Sequence, residues 1–162
     1  RVAFENVEIL NHAVARIPAD RMRMHVCWGN YDGPHDHDVG LKDIVDVVLS
    51  AKPAGIVLES SNPRHGHEWR VWEDRALPEG KYLVAGVVDT TNNYVEHPEL
   101  VAQRLVRFAR TVGPDRVLGG SDCGFGTTAR DEPLVAPTVA WAKLRSLVEG
   151  AALASRELGL AV

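Results

Sequence analysis

The feature that most constrains the fold is a regular alternation of short apolar runs with longer segments of helical periodicity. The apolar runs begin near residues 22, 55, 82 and 117. Each is followed by a loop and then by a segment with apolar positions three and four residues apart, the spacing of an amphipathic helix. Intervals of about thirty residues between the runs are typical of parallel strands joined by crossover helices. The sequence therefore predicts an α/β fold in which one helix precedes four βα units.

The apolar periodicity also gives the bounds that we expect for each element. The predicted strands cover residues 21–27, 55–59, 82–88 and 117–121, and the predicted helices cover residues 2–17, 41–50, 98–112 and 137–158. Pro98 opens one of these helices, at a position where its missing N–H group is not needed. The segments between strands and helices are rich in Gly, Asp and His, as loops commonly are.

Titratable side chains collect where each predicted strand ends. They are His25 and Cys27, then Glu59, then Asp89, and finally Asp122 with Cys123. The active sites of (β/α)8 barrels lie at this carboxyl face of the sheet. Such a barrel takes about 250 residues, so the four units of this 162-residue chain are predicted to form half of one. An open, doubly wound parallel sheet is the alternative.

A half-barrel has two unpaired sheet edges and should be unstable by itself. We therefore expect the other half of the barrel to lie upstream in a longer chain or to come from another chain. The chain begins with Arg1, inside a predicted helix, which agrees with a fragment. Residues 1–162 are predicted to form one domain, because no linker or low-complexity segment divides them.

The His-x-Cys motif at the end of the first strand indicates a metal site. Alternate residues of a strand point to the same side, so His25 and Cys27 share a face. Nitrogen and sulfur donors are typical zinc ligands, and Glu59 and Cys123 at other strand ends can complete a tetrahedral set. The alternatives are that both cysteines are small buried hydrophobic residues, that His25 is a core residue, and that Glu59 caps a segment or pairs with Arg64.

This donor set favours a particular chemistry. Two thiolates and a carboxylate outweigh the charge of a divalent ion, which makes zinc a poor activator of water compared with a site of neutral imidazoles. Such a zinc is suited to hold a substrate thiol as a thiolate, because a coordinated thiol is deprotonated outright. The predicted reaction is attack of that sulfur on an electrophilic carbon, which is alkyl transfer.

Further candidate residues surround this centre. Asp89 is expected on the inner face, where it would orient the substrate, and its alternative is an ion pair with Arg23. Asp122 faces away from Cys123, so it either orients a neighbouring group or bonds its own turn. The predicted substrate-binding residues near the mouth of the site are Asn30, Arg64, His65 and Asp122.

The amino-acid composition limits the binding partners and the cellular compartment that we expect. The net charge is −4 and the chain has no run of basic residues, so nucleic acid is not an expected partner. No apolar stretch approaches the roughly 20 residues that cross a bilayer, so no membrane partner is expected. Two cysteines in 162 residues do not form a disulfide framework, so we expect a cytoplasmic protein.

Two rival functions remain open at this point. A metal-dependent hydrolase would use several of the loop histidines together with Asp89; the histidines concerned are His35, His37, His65 and His67. A structural or interaction module that has lost catalysis would bind a partner through its open sheet edges. The number of metal ions per chain separates these functions from a single-zinc transferase.

Three motifs, in the same order, carry a resemblance to a known family. They are His25-x-Cys27, Glu59-Ser60-Ser61 after an apolar strand, and Asp122-Cys123-Gly124. Together they resemble the C-terminal barrel half of cobalamin-independent methionine synthase, in a wider group that includes the epoxyalkane:coenzyme M transferases. Residues 25–31 and 95–100 look more like the shorter, methionine-synthase-II-like branch. The resemblance covers nearly the whole chain.

The resemblance implies a fold, a cofactor and substrates. The fold is a TIM (β/α)8 barrel of the methionine-synthase and uroporphyrinogen-decarboxylase-like type, with residues 1–162 as its C-terminal half. The cofactor is zinc, which His25, Cys27, Glu59 and Cys123 hold. The activity resembles that of 5-methyltetrahydropteroyltriglutamate–homocysteine methyltransferase in methionine biosynthesis, with a small-molecule thiol and a methyl or alkyl donor. An epoxyalkane:coenzyme M transferase-like lyase is the alternative. A homo-oligomer is left open.

One loop departs from the family pattern. The methionine synthases carry a histidine after the third of these strands, thought to protonate the folate leaving group, and Thr91 stands at that place here. His97, six residues further on, is the candidate substitute and joins Asp89 as a predicted catalytic residue. The departure removes the motif that would indicate methyltetrahydrofolate as the donor.

Overall fold

Four parallel strands form a single sheet whose spatial order equals their order in the chain. The structure, a computed structural model, describes residues 1–34, 36–126 and 133–161. The strands are β1 (Arg23–Val26), β2 (Gly55–Leu58), β3 (Tyr82–Val88) and β4 (Val117–Ser121). A doubly wound sheet reverses its strand order at a switch point, whereas a barrel does not. The predicted parallel α/β fold is confirmed and the sheet is consistent with a half-barrel, while the closed barrel stays a prediction.

The predicted helices are present, with one difference at the first. They are α1 (Val2–Ala13), α2 (Leu41–Ser50), α4 (Pro98–Val112) and α5 (Pro137–Glu157), and a further short helix, α3 (Val71–Asp74), lies between β2 and β3. Helix α1 ends before the predicted residue 17, because the chain tightens into a turn in which Ile17 N donates to Val14 O at 3.0 Å. The following Pro18 disfavours the helical conformation at Ile17.

The hydrophobic core lies between the helices and one face of the sheet. Alternate residues of the two central strands point into it, as the pleat requires. The buried strand residues are Ile56 and Leu58 of β2 and Leu83, Ala85 and Val87 of β3, and the helices contribute Val45, Val48, Val101, Leu105 and Phe108. The core therefore fixes the register of β2 and β3 most firmly. The edge strands β1 and β4 pair with these two central strands.

The opposite face of the sheet carries the residues that a barrel would enclose. His25, Val57, Val84 and Leu118 stand in register across all four strands. Leu118 on the edge strand β4 is 45% exposed. One row nearer the amino end, Arg23 Nε donates to Tyr82 Oη at 3.0 Å. His25 therefore points away from the hydrophobic core, towards the face that is open in this chain.

Candidate metal centre

The first ligand pair is placed by the end of β1 and by the turn that follows. His25 lies within β1 and Cys27 follows its last residue. The sulfur of Cys27 accepts the backbone N–H of Gly29 at 3.3 Å. Gly29 has a φ of 104°, in the left-handed region that glycine tolerates best. The turn therefore directs a backbone N–H donor at the sulfur.

Four side chains from three strands converge on one point. The donor atoms of His25, Cys27, Glu59 and Cys123 all lie within 4.8 Å of one another. Cys123 Sγ is 3.2 Å from His25 Nε2, 3.5 Å from Cys27 Sγ and 3.4 Å from Glu59 Oε1. In a tetrahedral zinc site, neighbouring donor atoms are about 3.3–3.8 Å apart. The three separations from Cys123 Sγ are close to this range, and the ligation itself stays a prediction.

Glu59 is buried at the base of this group, with 2% of the residue exposed. Its Oε1 accepts the backbone N–H of Trp28 at 2.9 Å. Its Oε2 accepts from Asn62 Nδ2 at 2.9 Å and lies 3.5 Å from Arg64 Nη2. The Glu59 carboxylate therefore contacts the Cys123 thiol. It also makes the ion pair with Arg64 that is its alternative predicted role.

The electrostatics of the group favour a bound cation. Burial raises the pKa of the Cys123 thiol, and the neighbouring charge of Glu59 and the contact with Cys27 raise it further. In the protein alone the thiol therefore keeps its proton. A coordinating metal ion reverses this effect, because its charge stabilises the thiolate. The residues present thus match the chemistry of zinc.

Asp122 is almost completely buried, with 1% exposed. Its Oδ1 accepts the backbone N–H groups of Ser60 and Ser61, and its Oδ2 accepts from the backbone N and side-chain Nδ2 of Asn62, all at 2.9 Å. Burial raises its pKa to about 6, although these N–H donors lower it. Both oxygens are occupied, which favours a positioning role over the predicted substrate contact. The residues it bonds are those of the loop after β2 and not those of its own turn.

Asp89 lies buried at the end of β3. Its Oδ1 accepts from the backbone N of Thr91 at 2.6 Å and from its hydroxyl at 2.9 Å. Thr91 therefore holds Asp89 in place. Among the described residues no ion pair joins Asp89 to Arg23, which bonds Tyr82 instead.

His97 is exposed and begins helix α4. Its Nδ1 accepts the backbone N–H of Glu99 at 3.2 Å, which caps the helix. Within the described ranges no hydrogen bond connects it with the four converging side chains. The contact of His97 is structural, and its catalytic role stays a prediction.

Asn30 connects the loops at the mouth of the site. Its Nδ2 donates to Gly124 O at 3.1 Å, and its Oδ1 accepts from Thr90 Oγ1 at 3.0 Å. Asn30 thus joins the loops that follow β1, β3 and β4. Arg64 lies on the other side of the site, where Nη1 contacts Asp38 Oδ2 at 2.6 Å. Substrate binding by either residue stays a prediction.

His65 is built into the wall of the site. Its ring contacts Asp38 at 3.3 Å and Glu68 at 2.8 Å and packs against Trp28 at a centroid distance of 4.3 Å. Burial lowers its pKa, but the hydrogen bond and charge of Glu68 outweigh burial, so the pKa of His65 is raised. Glu68 also accepts Leu41 N at 2.6 Å. A direct contact of His65 with substrate stays a prediction.

The second metal site of the hydrolase hypothesis is not assembled in the described part of the chain. The only group of His, Cys, Asp or Glu placed for a metal ion there is the one around His25. His35 lies outside the described residues. His37 is fully exposed beside Asp36. The hydrolase hypothesis therefore has no geometric support from these residues.

Asn62 and Trp28 are site residues that the sequence pattern does not predict. Each donates a hydrogen bond to Glu59, one from an amide side chain and one from the backbone. The position of Asn62, three residues after Glu59 in a polar loop, is the one signal that could have identified it. No sequence signal marks a backbone donor such as Trp28 N.

No family model matches the sequence. Over 156 residues the chain is 28% identical to a methionine synthase of Saccharolobus solfataricus, a match that covers 94% of this chain and 40% of that protein. It is also 28% identical over 144 residues to the uncharacterized protein YxjH of Bacillus subtilis, covering 86% and 37%. The chain therefore spans about two fifths of the length of these relatives.

A solved structure shows the same fold. A B12-independent methionine synthase from Shewanella sp. W3-18-1, in complex with selenomethionine, superposes with a TM-score of 0.71 at 22% identity, over 96% of this chain and 46% of that one. Fold and site define a parallel α/β protein with sulfur, nitrogen and oxygen donors at the carboxyl edge of its sheet. The chain is thus similar in sequence to a methionine synthase and in fold to a B12-independent methionine synthase, in agreement with the resemblance that its motifs carry.

No helix among residues 1–34, 36–126 and 133–161 combines the length and the apolar character needed to cross a membrane.

Proposed function

We propose that this chain carries the zinc-binding part of an enzyme that transfers a methyl or other alkyl group to a thiol, as methionine synthase does. The observation that carries the proposal is the convergence of His25, Cys27, Glu59 and Cys123 within 4.8 Å. This convergence lies at the functional edge of a sequentially ordered parallel sheet. The predicted compartment remains the cytoplasm.

The donor set determines what the centre does. Zinc bound here would hold a substrate thiol in its deprotonated, nucleophilic form. We assign His25, Cys27 and Cys123 as permanent ligands and Glu59 as the ligand that the substrate displaces. Glu59 suits this role because Trp28, Asn62 and Arg64 already contact its oxygens. When the carboxylate leaves the metal, it is not left without hydrogen-bond partners.

The loops around the centre would bind the rest of the substrate. Asp89 uses Oδ1 for Thr91, and its Oδ2 has no hydrogen-bond partner within the described residues. This oxygen can accept a hydrogen bond from an amino or hydroxyl group and so orient the substrate. Asn30, Arg64 and His65 line or support the loops of residues 29–38 and 60–67, which frame the opening.

The donor of the alkyl group is a separate question. Thr91 bonds Asp89 where the family's histidine would protonate a folate leaving group. This observation weakens the case for methyltetrahydrofolate as the donor, and an epoxyalkane:coenzyme M transferase-like reaction is kept as the alternative. The identity of the thiol substrate is proposed only by analogy with the relatives.

We further propose that the rest of the barrel comes from a longer polypeptide or from another chain. The match covers 46% of the structural relative, and in the described part of the chain β1 and β4 each pair on one side only. Unpaired parallel strands are rarely stable in isolation. Co-purification of this chain with the missing half, as a compact complex, is the expected result.

Metal analysis tests the proposal. Protein purified without added metal should contain one zinc per chain, and His25→Ala should lose it. The matched control is His12→Ala, which removes an exposed histidine of α1 and should leave the zinc in place. Several metal ions per chain would support the hydrolase, and none would support the non-catalytic module.

An activity assay completes the test. The complete enzyme that contains this chain should methylate or alkylate a thiol from a panel that includes homocysteine and coenzyme M, and His25→Ala should remove that activity. Turnover that survives His25→Ala contradicts the proposed mechanism.

A further inference from the structure

We propose that Asp122 is a positioning residue that fixes the carboxylate of Glu59 relative to the sulfur of Cys123. This inference deepens the proposed function and rests on it. Asp122 does not point at the metal position, because both of its oxygens are bonded to the loop of residues 60–62. It acts through that loop.

The geometry explains how one carboxylate can couple two ligands. Glu59 immediately precedes Ser60, and Cys123 immediately follows Asp122. Strands β2 and β4 are not neighbours, because β3 lies between them. The bonds from Asp122 to the loop therefore cross the end of β3 and tie the two ligand-bearing segments directly together. Other bonds join each segment to its surroundings, such as Ser60 Oγ to Gly86 O and Asn30 Nδ2 to Gly124 O, but the Asp122 bonds link the two segments to each other.

Asn62 carries the connection to the metal-binding carboxylate itself. Its Nδ2 donates to Asp122 Oδ2 and to Glu59 Oε2, both at 2.9 Å. An amide has two N–H groups, and here each is assigned to one carboxylate. Asp122 thus sets the orientation of Asn62, and Asn62 sets the orientation of Glu59.

The charge state and the space around Asp122 favour this role. Only an ionised carboxylate can accept from all four N–H donors, because it has no donor of its own. The backbone at Gly86 passes so close that an added Cβ would lie 2.5 Å from Asp122 Oδ1. Burial of a carboxylate is costly for folding, and a well-packed apolar residue often serves stability equally well. The convergence of four N–H donors from residues 60–62 on this one carboxylate therefore supports a positioning role.

The experiment compares zinc affinities. Asp122→Asn keeps the shape of the side chain but turns an amide N–H group towards the donors of Ser60 and Ser61 or of Asn62. Zinc affinity, measured by competition with a chromophoric chelator, should fall about 10- to 100-fold, as it does when residues supporting metal ligands are changed. The matched control, Lys81→Met, breaks two hydrogen bonds at the opposite end of the sheet and should leave the affinity unchanged.

A spectroscopic readout separates positioning from simple loss of stability. In the cobalt-substituted protein, Asp122→Asn should alter the visible ligand-field bands, because Glu59 is displaced. The sulfur-to-cobalt charge-transfer band should persist, because both cysteines remain. A second variant, Asn62→Ala, keeps Asp122 and removes the relay, together with the bonds that Asn62 Oδ1 accepts from the backbone N–H groups of Arg64 and His65. It should change the same bands even if Asp122→Asn fails to fold.

The outcomes are distinguishable. If wild type binds zinc through the four ligands while the Asp122 and Asn62 variants keep its affinity and its cobalt spectrum, this inference fails and the proposed function stands. The same holds if every loss of affinity is matched by Lys81→Met. If wild type binds no zinc, the proposed function fails and the inference fails with it.

Discussion

The loops at the two ends of the sheet are bound by side chains of opposite charge. At the carboxyl end, the carboxylates of Glu59 and Asp122 accept backbone N–H groups of the loops. At the amino end, cations donate to carbonyls: Lys81 Nζ bonds Ala51 O and Pro53 O at 2.6 and 2.9 Å, and Arg116 bonds Leu77 O and Lys81 O.

Loops at the carboxyl end lead into helix N-termini, which have spare N–H groups. Loops at the amino end follow helix C-termini, which have spare carbonyls.

The difference between the ends separates stability from function. At the amino end Lys81 and Arg116 are paired with carbonyls of the loops. At the carboxyl end an imidazole and two thiols accompany the carboxylates, and within the described residues only the Cys27 sulfur among these three groups accepts a backbone N–H, that of Gly29. Groups that exceed the hydrogen-bonding needs of the backbone identify the functional end, in agreement with the general division between the faces of βα barrels.

The largest effect is expected from removing one soft ligand at the carboxyl end. Cys123→Ser should abolish stoichiometric zinc, because a neutral hydroxyl is a much weaker zinc donor than a thiolate. Far-ultraviolet circular dichroism of the apo protein should be unchanged. Elemental analysis measures the zinc, with Ser50→Ala at the amino end as a control that keeps it. Full zinc occupancy in Cys123→Ser contradicts the assignment.

The next effect compares one glycine from each end. Gly86→Ala places a Cβ 2.5 Å from Asp122 Oδ1 and 2.7 Å from Leu58 O. We expect it to lower the free energy of unfolding by about 3 kcal/mol, near the upper end of overpacking costs, and to weaken zinc binding.

The control for this prediction is Gly80→Ala at the amino end. Gly80 has a φ of 75° and open space around it, so alanine should cost only about 1 kcal/mol of backbone strain and leave zinc binding intact. Urea unfolding of both variants makes the comparison, and equal losses of stability would show that the carboxyl end is no more tightly packed.

The strand–helix alternation predicts most of this fold, because each element repeats a local period that the core enforces. Residues such as Ile56, Leu83 and Leu105 stand at the spacing of their element and are buried as expected. The end of α1 is the exception. There the apolar spacing continues to Ile17, but Pro18 and a tightened turn end the helix earlier, and no core contact compensates.

The ligands of the candidate site are predictable for the same reason, since strand ends of a parallel sheet meet at one edge. The residues that hold these ligands in place are not predictable in the same way. Asp122 bonds residues about sixty positions away, and Glu59 depends on the backbone of Trp28. Such contacts are set by loop conformation, which has no period in the sequence. His65 shows the same limit, because its burial follows from Glu68 and Trp28 rather than from any motif.

A smaller effect is expected from the amino end. Lys81→Met removes a charged donor and leaves the carbonyls of Ala51 and Pro53 without it, which should lower the free energy of unfolding by about 1–2 kcal/mol. Zinc content and affinity should equal those of wild type. Loss of zinc in this variant would show that the two ends of the sheet are not independent.

The smallest effect is a pH dependence at the wall of the site. His65 has a raised pKa in the folded protein, because the hydrogen bond and charge of Glu68 outweigh its burial. A raised pKa stabilises the fold fully below the unfolded value of about 6.5, and this stabilisation is lost as pH rises through the folded value. Metal-free protein should therefore unfold more easily at pH 8 than at pH 6.

The matched variant for this last prediction is Glu68→Gln, which keeps an oxygen for Leu41 N but removes the charge beside His65. Its stability should be lower than that of wild type at pH 6 and should change less between pH 6 and pH 8. Metal must be absent, because zinc binding strengthens with pH as ligands lose protons and so acts in the opposite direction. Thermal unfolding in the presence of a chelator measures the difference, and identical pH profiles for the two proteins would show that His65 gains no proton affinity from Glu68.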